Sequence, residues 1–190
     1  GKIRIIKPYI GGGFGNKQDA LYEPLCAYLT TVVGGRPVKI DMSREETFTC
    51  SRVRHSIRYH LVTYFRPDGT FVARSMEEYS KQGAYASHGH SIAAKATNSF
   101  AQLYKCKAYK FDAYTVFTNT PVAGAMRAYG IPQVTFAVES HVEDIAAMLG
   151  MDPAELRKKN LMDVGYKDDF SGNVNYWDSH GQCVRKGMDY

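Results

Sequence analysis

The sequence predicts an α+β fold, a mixed sheet and hairpins with packed helices, on three observations. Two β-rich apolar runs flank a Pro-Asp-Gly turn. Two later stretches carry helical periodicity with capping residues at their ends. Strand runs do not alternate regularly with helices, which argues against a doubly wound sheet. With 190 residues, 44% of them hydrophobic and 13% aromatic, the chain is long enough to bury the core of one domain, or of one and part of another.

Taken in order, Lys2 to Ile10 alternates polar and apolar residues and reads as a strand that stops at a glycine run, Gly11 to Gly15. From Gln18 to Val33, Leu21, Leu25, Tyr28, Leu29 and Val32 recur at helical spacing, and Gly34-Gly35 supplies the stop. Pro37 to Met42 reads as a short strand, and Ser43 with Glu46 as a capping box opening one helical turn. Ile57–Phe65 and Phe71–Tyr79 form a hairpin around Arg66-Pro67-Asp68-Gly69. Gly83 to Ser99 shows little periodicity and reads as loop with one helical segment near Ser91 to Thr97. Phe111 to Thr118 is a strand ended by Asn119-Thr120-Pro121. Val134, Val138, Val142, Ile145 and Leu149 mark a long helix from Pro132 to Leu149, with Gly150 just past its end, and Asp152-Pro153-Ala154-Glu155 caps a second one running to Asn160. Beyond Gly165 the composition turns polar.

The net charge of +5 comes from 24 basic and 19 acidic residues spread along the chain, without the clustering of a nucleic-acid footprint. No window approaches the roughly 20 apolar residues of a membrane span, and no Arg-rich leader opens the chain. Cys26, Cys50, Cys106 and Cys183 contain no CxxC pair that would suggest zinc or an iron–sulfur cluster, and they are read as reduced and cytosolic. Both ends look cut, since the chain starts at Gly1-Lys2-Ile3 and stops at Met188-Asp189-Tyr190.

Three stretches carry chemistry. In the glycine run, backbone amides approach an anion easily. The dinucleotide pattern GxGxxG fails because Asn16 or Gln18 stands where its third glycine belongs, and the P-loop fails because Asn16 and Gln18 flank Lys17. A flexible connection is the plain alternative. The second stretch, Gly124 to Gln133, frames Arg127 and Tyr129 with glycines and a proline. Arg127 could hold an anion and Tyr129 stack on a flat ring; otherwise they are an arginine paired to a carboxylate and a core tyrosine. The third, Arg52-Val53-Arg54-His55, places two basic groups on one face of an extended segment, where solvated charge is the ordinary explanation. His88-Gly89-His90 has no third ligand at suitable spacing and is assigned no metal.

Gly11-Gly12-Gly13-Phe14-Gly15-Asn16-Lys17, Arg54-His55, Ala125-Met126-Arg127-Ala128-Tyr129-Gly130-Ile131-Pro132-Gln133, Glu139 with Asp144, and Leu149 to Pro153 with Arg157 and Asn160 follow in an order and spacing that resemble the molybdenum-binding subunit of the xanthine dehydrogenase family. The resemblance covers residues 1–165, the N-terminally truncated first molybdopterin-binding domain; residues 166–190 are a linker or the start of a second, incomplete unit. The purine-hydroxylating bacterial branch, including hypoxanthine oxidase-like members, is the nearest in pattern.

The resemblance implies a molybdenum centre carried by molybdopterin or its cytosine dinucleotide form, hydroxylating a purine of the hypoxanthine or xanthine type with oxygen from water. It implies 2Fe-2S and FAD on other domains or subunits, and a cytoplasmic setting. It puts Gly13, Phe14, Gly15 and Arg127 at the cofactor, Phe14 and Arg127 being molybdenum-proximal without ligating through their side chains. Gln18, Arg54 and Tyr129 fall at substrate positions. Gln18 stands where the animal enzymes carry glutamate, and Tyr129 where they carry phenylalanine, which leaves the purine open. The family's catalytic glutamate lies downstream, so no catalytic residue is expected in this fragment, and the fragment alone is expected to be inactive. An aldehyde-, CoA-ester- or other heterocycle-directed member, or a noncatalytic assembly module on the same scaffold, is the alternative.

Overall fold

The computed structural model describes residues 4–189. Along the chain, helices α1 (Glu23–Val32) and α2 (Arg44–Cys50) precede strands β1 (Ser56–Phe65) and β2 (Phe71–Gly83). Then come α3 (Gly89–Ala101), β3 (Ala108–Phe117), α4 (Ile131–Leu149), α5 (Pro153–Asn160) and α6 (Ser179–Met188). The strands form one mixed sheet in the order β1-β2-β3, β1 antiparallel and β3 parallel to the central β2. The α+β expectation holds.

The core lies on the face of the sheet covered by α3 and α4. Alternation along β2 sends Arg74, Met76, Glu78, Ser80 and Gln82 inward. α4 answers with Val134, Val138, Val142 and Ile145 at helical spacing, and α3 with Ile92, Ala93, Ala96 and Phe100. The other face of the sheet is open, with Tyr79 stacked on Tyr114 across the parallel pair. α5 begins at Asp152, whose carboxylate accepts from the Ala154 and Glu155 amides, and ends at the buried Asn160. The Asn160 side chain donates to the carbonyls of Gly69 and Leu156 and accepts from the Phe71 amide at 2.8 Å, pinning the β1–β2 turn to α5. Beside it, Arg157 donates to Glu139 and pairs with Glu143, while the Tyr104 hydroxyl also donates to Glu139.

Two buried charged groups sit beneath β2. The Arg74 guanidinium lies 4.2 Å from the Phe100 ring centroid and donates to that residue's carbonyl. Glu78 is fully buried, neither carboxylate oxygen meets a donor among the described residues, and the hydroxyl of Tyr59, its cross-strand partner, is likewise unpartnered. Burial pushes the Glu78 carboxyl up to about 7.

Several elements differ from the sequence expectations. Residues 4–10 form no strand, since no described segment pairs with them (Lys2 and Ile3 lie outside the described residues), and 37–42 is coil for the same reason. The first helix starts at Glu23 rather than Gln18, because Pro24 is tolerated only in a first turn; its Gly34-Gly35 end holds, the Gly35 amide donating to Thr30. The capping box of Ser43 and Glu46 opens seven helical residues. The stretch read mostly as loop holds α3: Ile92, Ala96 and Phe100 recur every fourth residue, a signal diluted by the small and polar residues between them. α6 was not anticipated.

Candidate functional site

The glycine loop and the Arg127 loop, 110 residues apart in sequence, meet in space. A Cβ built on Gly15 would stand 2.7 Å from both the carbonyl carbon and oxygen of Ala125, so only glycine allows this approach, and its φ of +102° asks for glycine as well. Between them the two loops contain Phe14 (φ +50°), Ala128 (+72°) and Tyr129 (+53°), the non-glycine residues with left-handed backbone among those described. Such conformations cost on the order of 1–3 kcal/mol each and gather at binding and catalytic sites. Here the turns are closed by Asn16 and Tyr129 amides donating to Gly13 and Met126.

On this frame Phe14 projects outward, 63% exposed, an unusual position for a phenylalanine. Arg127 is also exposed, and no carboxylate pairs with it among the described residues; the paired-arginine alternative therefore does not hold. Tyr129 is half-buried rather than core. The guanidinium of Arg54 donates to the Arg127 carbonyl at 2.9 Å and, at 3.4 Å, to Gln133, whose amide in turn donates to the His55 carbonyl. Arg54 is thus more than solvated charge: it braces the loop while keeping further N–H donors for a ligand. Gln18 is exposed just after the glycine turn, its amide donating to Gly15. Gly13, Phe14, Gly15, Arg54, Arg127 and Tyr129 accordingly belong to one connected surface, with Gln18 at its edge.

Sequence reasoning missed a residue that backs the Tyr129 side of that surface. Asp19 accepts hydrogen bonds from Arg52 Nε at 3.1 Å, Ser87 Oγ at 2.9 Å and His88 Nε2 at 3.2 Å. These donors, Arg52 first, hold its carboxyl below the usual carboxylate range. His88 then meets the Tyr129 ring edge-to-face, centroids 5.9 Å apart. Contacts spanning 33 to 69 positions leave no local pattern from which Asp19 could have been read. His90 is exposed, and no group of three or more His, Cys, Asp or Glu side chains gathers among the described residues. A cleft of about 420 Å³ between α3, α4 and residues 162–180 is lined by none of the predicted site residues.

The surface suits an anionic, partly planar group. It presents an uncompensated guanidinium, an outward phenylalanine and glycine backbone with no side chain in the way, and it offers no cluster of metal ligands. A pterin-borne metal, whose direct ligands are its own, fits such residues.

The molybdopterin cofactor-binding domain model matches residues 1–161. Over 97% of its length the chain is 48% identical to a putative xanthine dehydrogenase molybdenum-binding subunit of Escherichia coli, covering 25% of that protein. Over 87% it is 39% identical to the nicotinate dehydrogenase large molybdopterin subunit of Eubacterium barkeri, covering 39% of it. Among solved structures, the aldehyde oxidoreductase from Desulfovibrio gigas matches with a TM-score of 0.87 at 27% identity, over 95% of this chain and 20% of that one. The chain spans about a quarter of the length of the Escherichia coli relative.

Proposed function

The chain belongs to the molybdopterin cofactor-binding domain family, and from that premise we propose that it is the cofactor-facing wall of a molybdenum hydroxylase that oxidises a purine of the hypoxanthine or xanthine type. The carrying observation is the unpaired Arg127 on a loop in backbone contact with the Phe14 turn. When bound, a molybdenum–pterin centre supplies the two-electron oxidation that hydroxylates a ring carbon with oxygen from water. Gly13, Phe14 and Gly15 hold one side of that group with main chain and an apolar ring, and Arg127 meets its negative charge from the other loop. Tyr129 offers a ring face for a flat substrate. Arg54 directs its free N–H donors at charge that develops on the heterocycle, and Gln18, able to donate and accept, fixes the ring edge.

The general base, most pterin contacts, 2Fe-2S and FAD fall to the rest of a longer protein or to partner subunits, so this chain alone is inactive. The division into a domain ending near 165 and a following unit, the choice between molybdopterin and its cytosine dinucleotide, and a cytoplasmic setting belong to the same reading. No helix among the described residues is long and apolar enough to cross a membrane. The likeness to an aldehyde oxidoreductase supports a second reading, an aldehyde-directed pocket, against which the basic Arg54 weighs.

Turnover of hypoxanthine, xanthine and an aliphatic aldehyde by the holoenzyme decides between them. The purines should be preferred, and Arg54→Met should depress purine kcat/KM about a hundredfold, well beyond the loss of aldehyde turnover that removing its brace on the Arg127 carbonyl brings. Equal loss on both substrates, or preference for the aldehyde, would overturn the purine assignment.

A further inference from the structure

Asp19 sits at neither end of the chemistry proposed above, yet through its partners it reaches the Arg127 loop from two sides. On one side its carboxylate holds Arg52, whose aliphatic stem lies over Gly124 so closely that a Cβ there would meet its Cδ at 2.9 Å. On the other it holds Ser87 and His88, and His88 abuts Tyr129. Both flanks of the strained 124–130 loop are therefore reached from a single carboxylate four residues beyond Gly15. We infer that Asp19 is a positioning residue that locks the glycine loop to the Arg127–Tyr129 loop through Arg52, Ser87 and His88, and so sets the tyrosine ring for a planar substrate. The last clause rests on the function proposed above; the lock itself does not.

Three features support a specific role over general stabilisation. The carboxylate lies only half-buried, beside an exposed surface rather than in the core. Through His88 it reaches Tyr129, which with its neighbour Ala128 carries the left-handed backbone of the loop. And it is not a member of the hydrophobic cluster beneath the sheet.

Asp19→Ala in the holoenzyme should raise KM for the heterocycle about tenfold with kcat within about threefold and molybdenum content unchanged, because a displaced ring weakens binding before it disturbs the reacting atoms. Asp19→Asn, which keeps an oxygen for Arg52 and Ser87, should recover most of that KM. Independently of turnover, limited trypsin digestion of the cofactor-free full-length protein should cut after Lys17 and Arg127 about tenfold faster in Asp19→Ala, while cutting after the remote, exposed Lys39 stays at the wild-type rate. If Asp19→Ala does not accumulate folded, His88→Ala, which removes one arm, is read in the same way with a smaller shift. Wild-type KM and wild-type nicking together would overturn the inference, as would loss of molybdenum and kcat at constant KM and constant nicking. A wild-type enzyme idle on every heterocycle would instead strike the proposed function, leaving the digestion to judge the lock.

Discussion

Residues 4–50 and residues 51–161 are organised in different ways. The second region has a sheet, a helical layer and a continuous apolar core running from Phe71 to Leu161. The first has two helices, neither with a buried residue, and exposes Ile5, Tyr9, Phe14, Leu25, Tyr28, Val32 and Phe48. It is attached by point contacts: Gly15 on Ala125, Asn16 to Ser51, and Asp19 to Arg52, Ser87 and His88. One region is held by burial, while the other is held by a few polar bonds at the candidate site. The half that carries Phe14 therefore depends on the half that carries Arg127.

The largest expected effect breaks the buried half. Asn160→Ala removes three hydrogen bonds and leaves the Phe71 amide without an acceptor, which should cost about 4 kcal/mol in denaturant unfolding; a loss below about 1 kcal/mol would mean that α5 does not anchor the hairpin.

Next comes Glu78. Its folded carboxyl is raised from the usual 4.5 to about 7, so between those values the unfolded chain has released a proton that the folded one keeps. Stability contributed by the neutral form is complete below pH 4.5 and lost progressively as pH rises to about 7. Glu78→Gln should flatten that slope and gain up to about 3 kcal/mol at neutral pH with little change in acid; a parallel pH profile would show that Glu78 is solvated.

Smaller again is Gly15→Ala, which should cost about 2 kcal/mol locally by pushing the loop off Ala125. Reduced molybdenum retention in the holoenzyme is the expected readout, and full retention would mean the two loops act separately.

Least is Leu25→Ala. In this chain it should change unfolding free energy by less than about 0.5 kcal/mol, with α1 amides exchanging far faster than those of α4. Slow exchange in α1 would erase the contrast between the two regions.

What could be read in the sequence follows the same division. The hairpin, the long helix and the cap at Asp152 were readable because their signals are local: a Pro-Asp-Gly turn, apolar residues every third or fourth position, and an N-cap followed by proline. The strands expected over 4–10 and 37–42 failed because alternation predicts a strand only where a partner exists to pair with it. Gly34 and Gly35 marked a helix end correctly, whereas Pro24, an equally local sign, was passed over at its start. At the site, Gly15, Arg127 and Tyr129 announced themselves by residue type. Asp19 did not, because a carboxylate's importance lies in which distant donors fold onto it.

The pinning of the β1–β2 turn by Asn160 also bears on the order of events during synthesis. The Phe71 amide waits for an acceptor 89 residues further along. A ribosome making the chain delivers the finished hairpin long before the side chain that fastens it, and β3, parallel to β2, arrives only after α3 has been made. Until α3 and α4 emerge, the nascent sheet has an open inner face with Arg74 and Glu78 wet, and until α5 follows its first turn stays unfastened. Pausing or truncation before α4 is complete would thus leave a wet, half-assembled sheet for chaperones, and a stop between α4 and residue 160 a covered sheet with a loose hairpin turn.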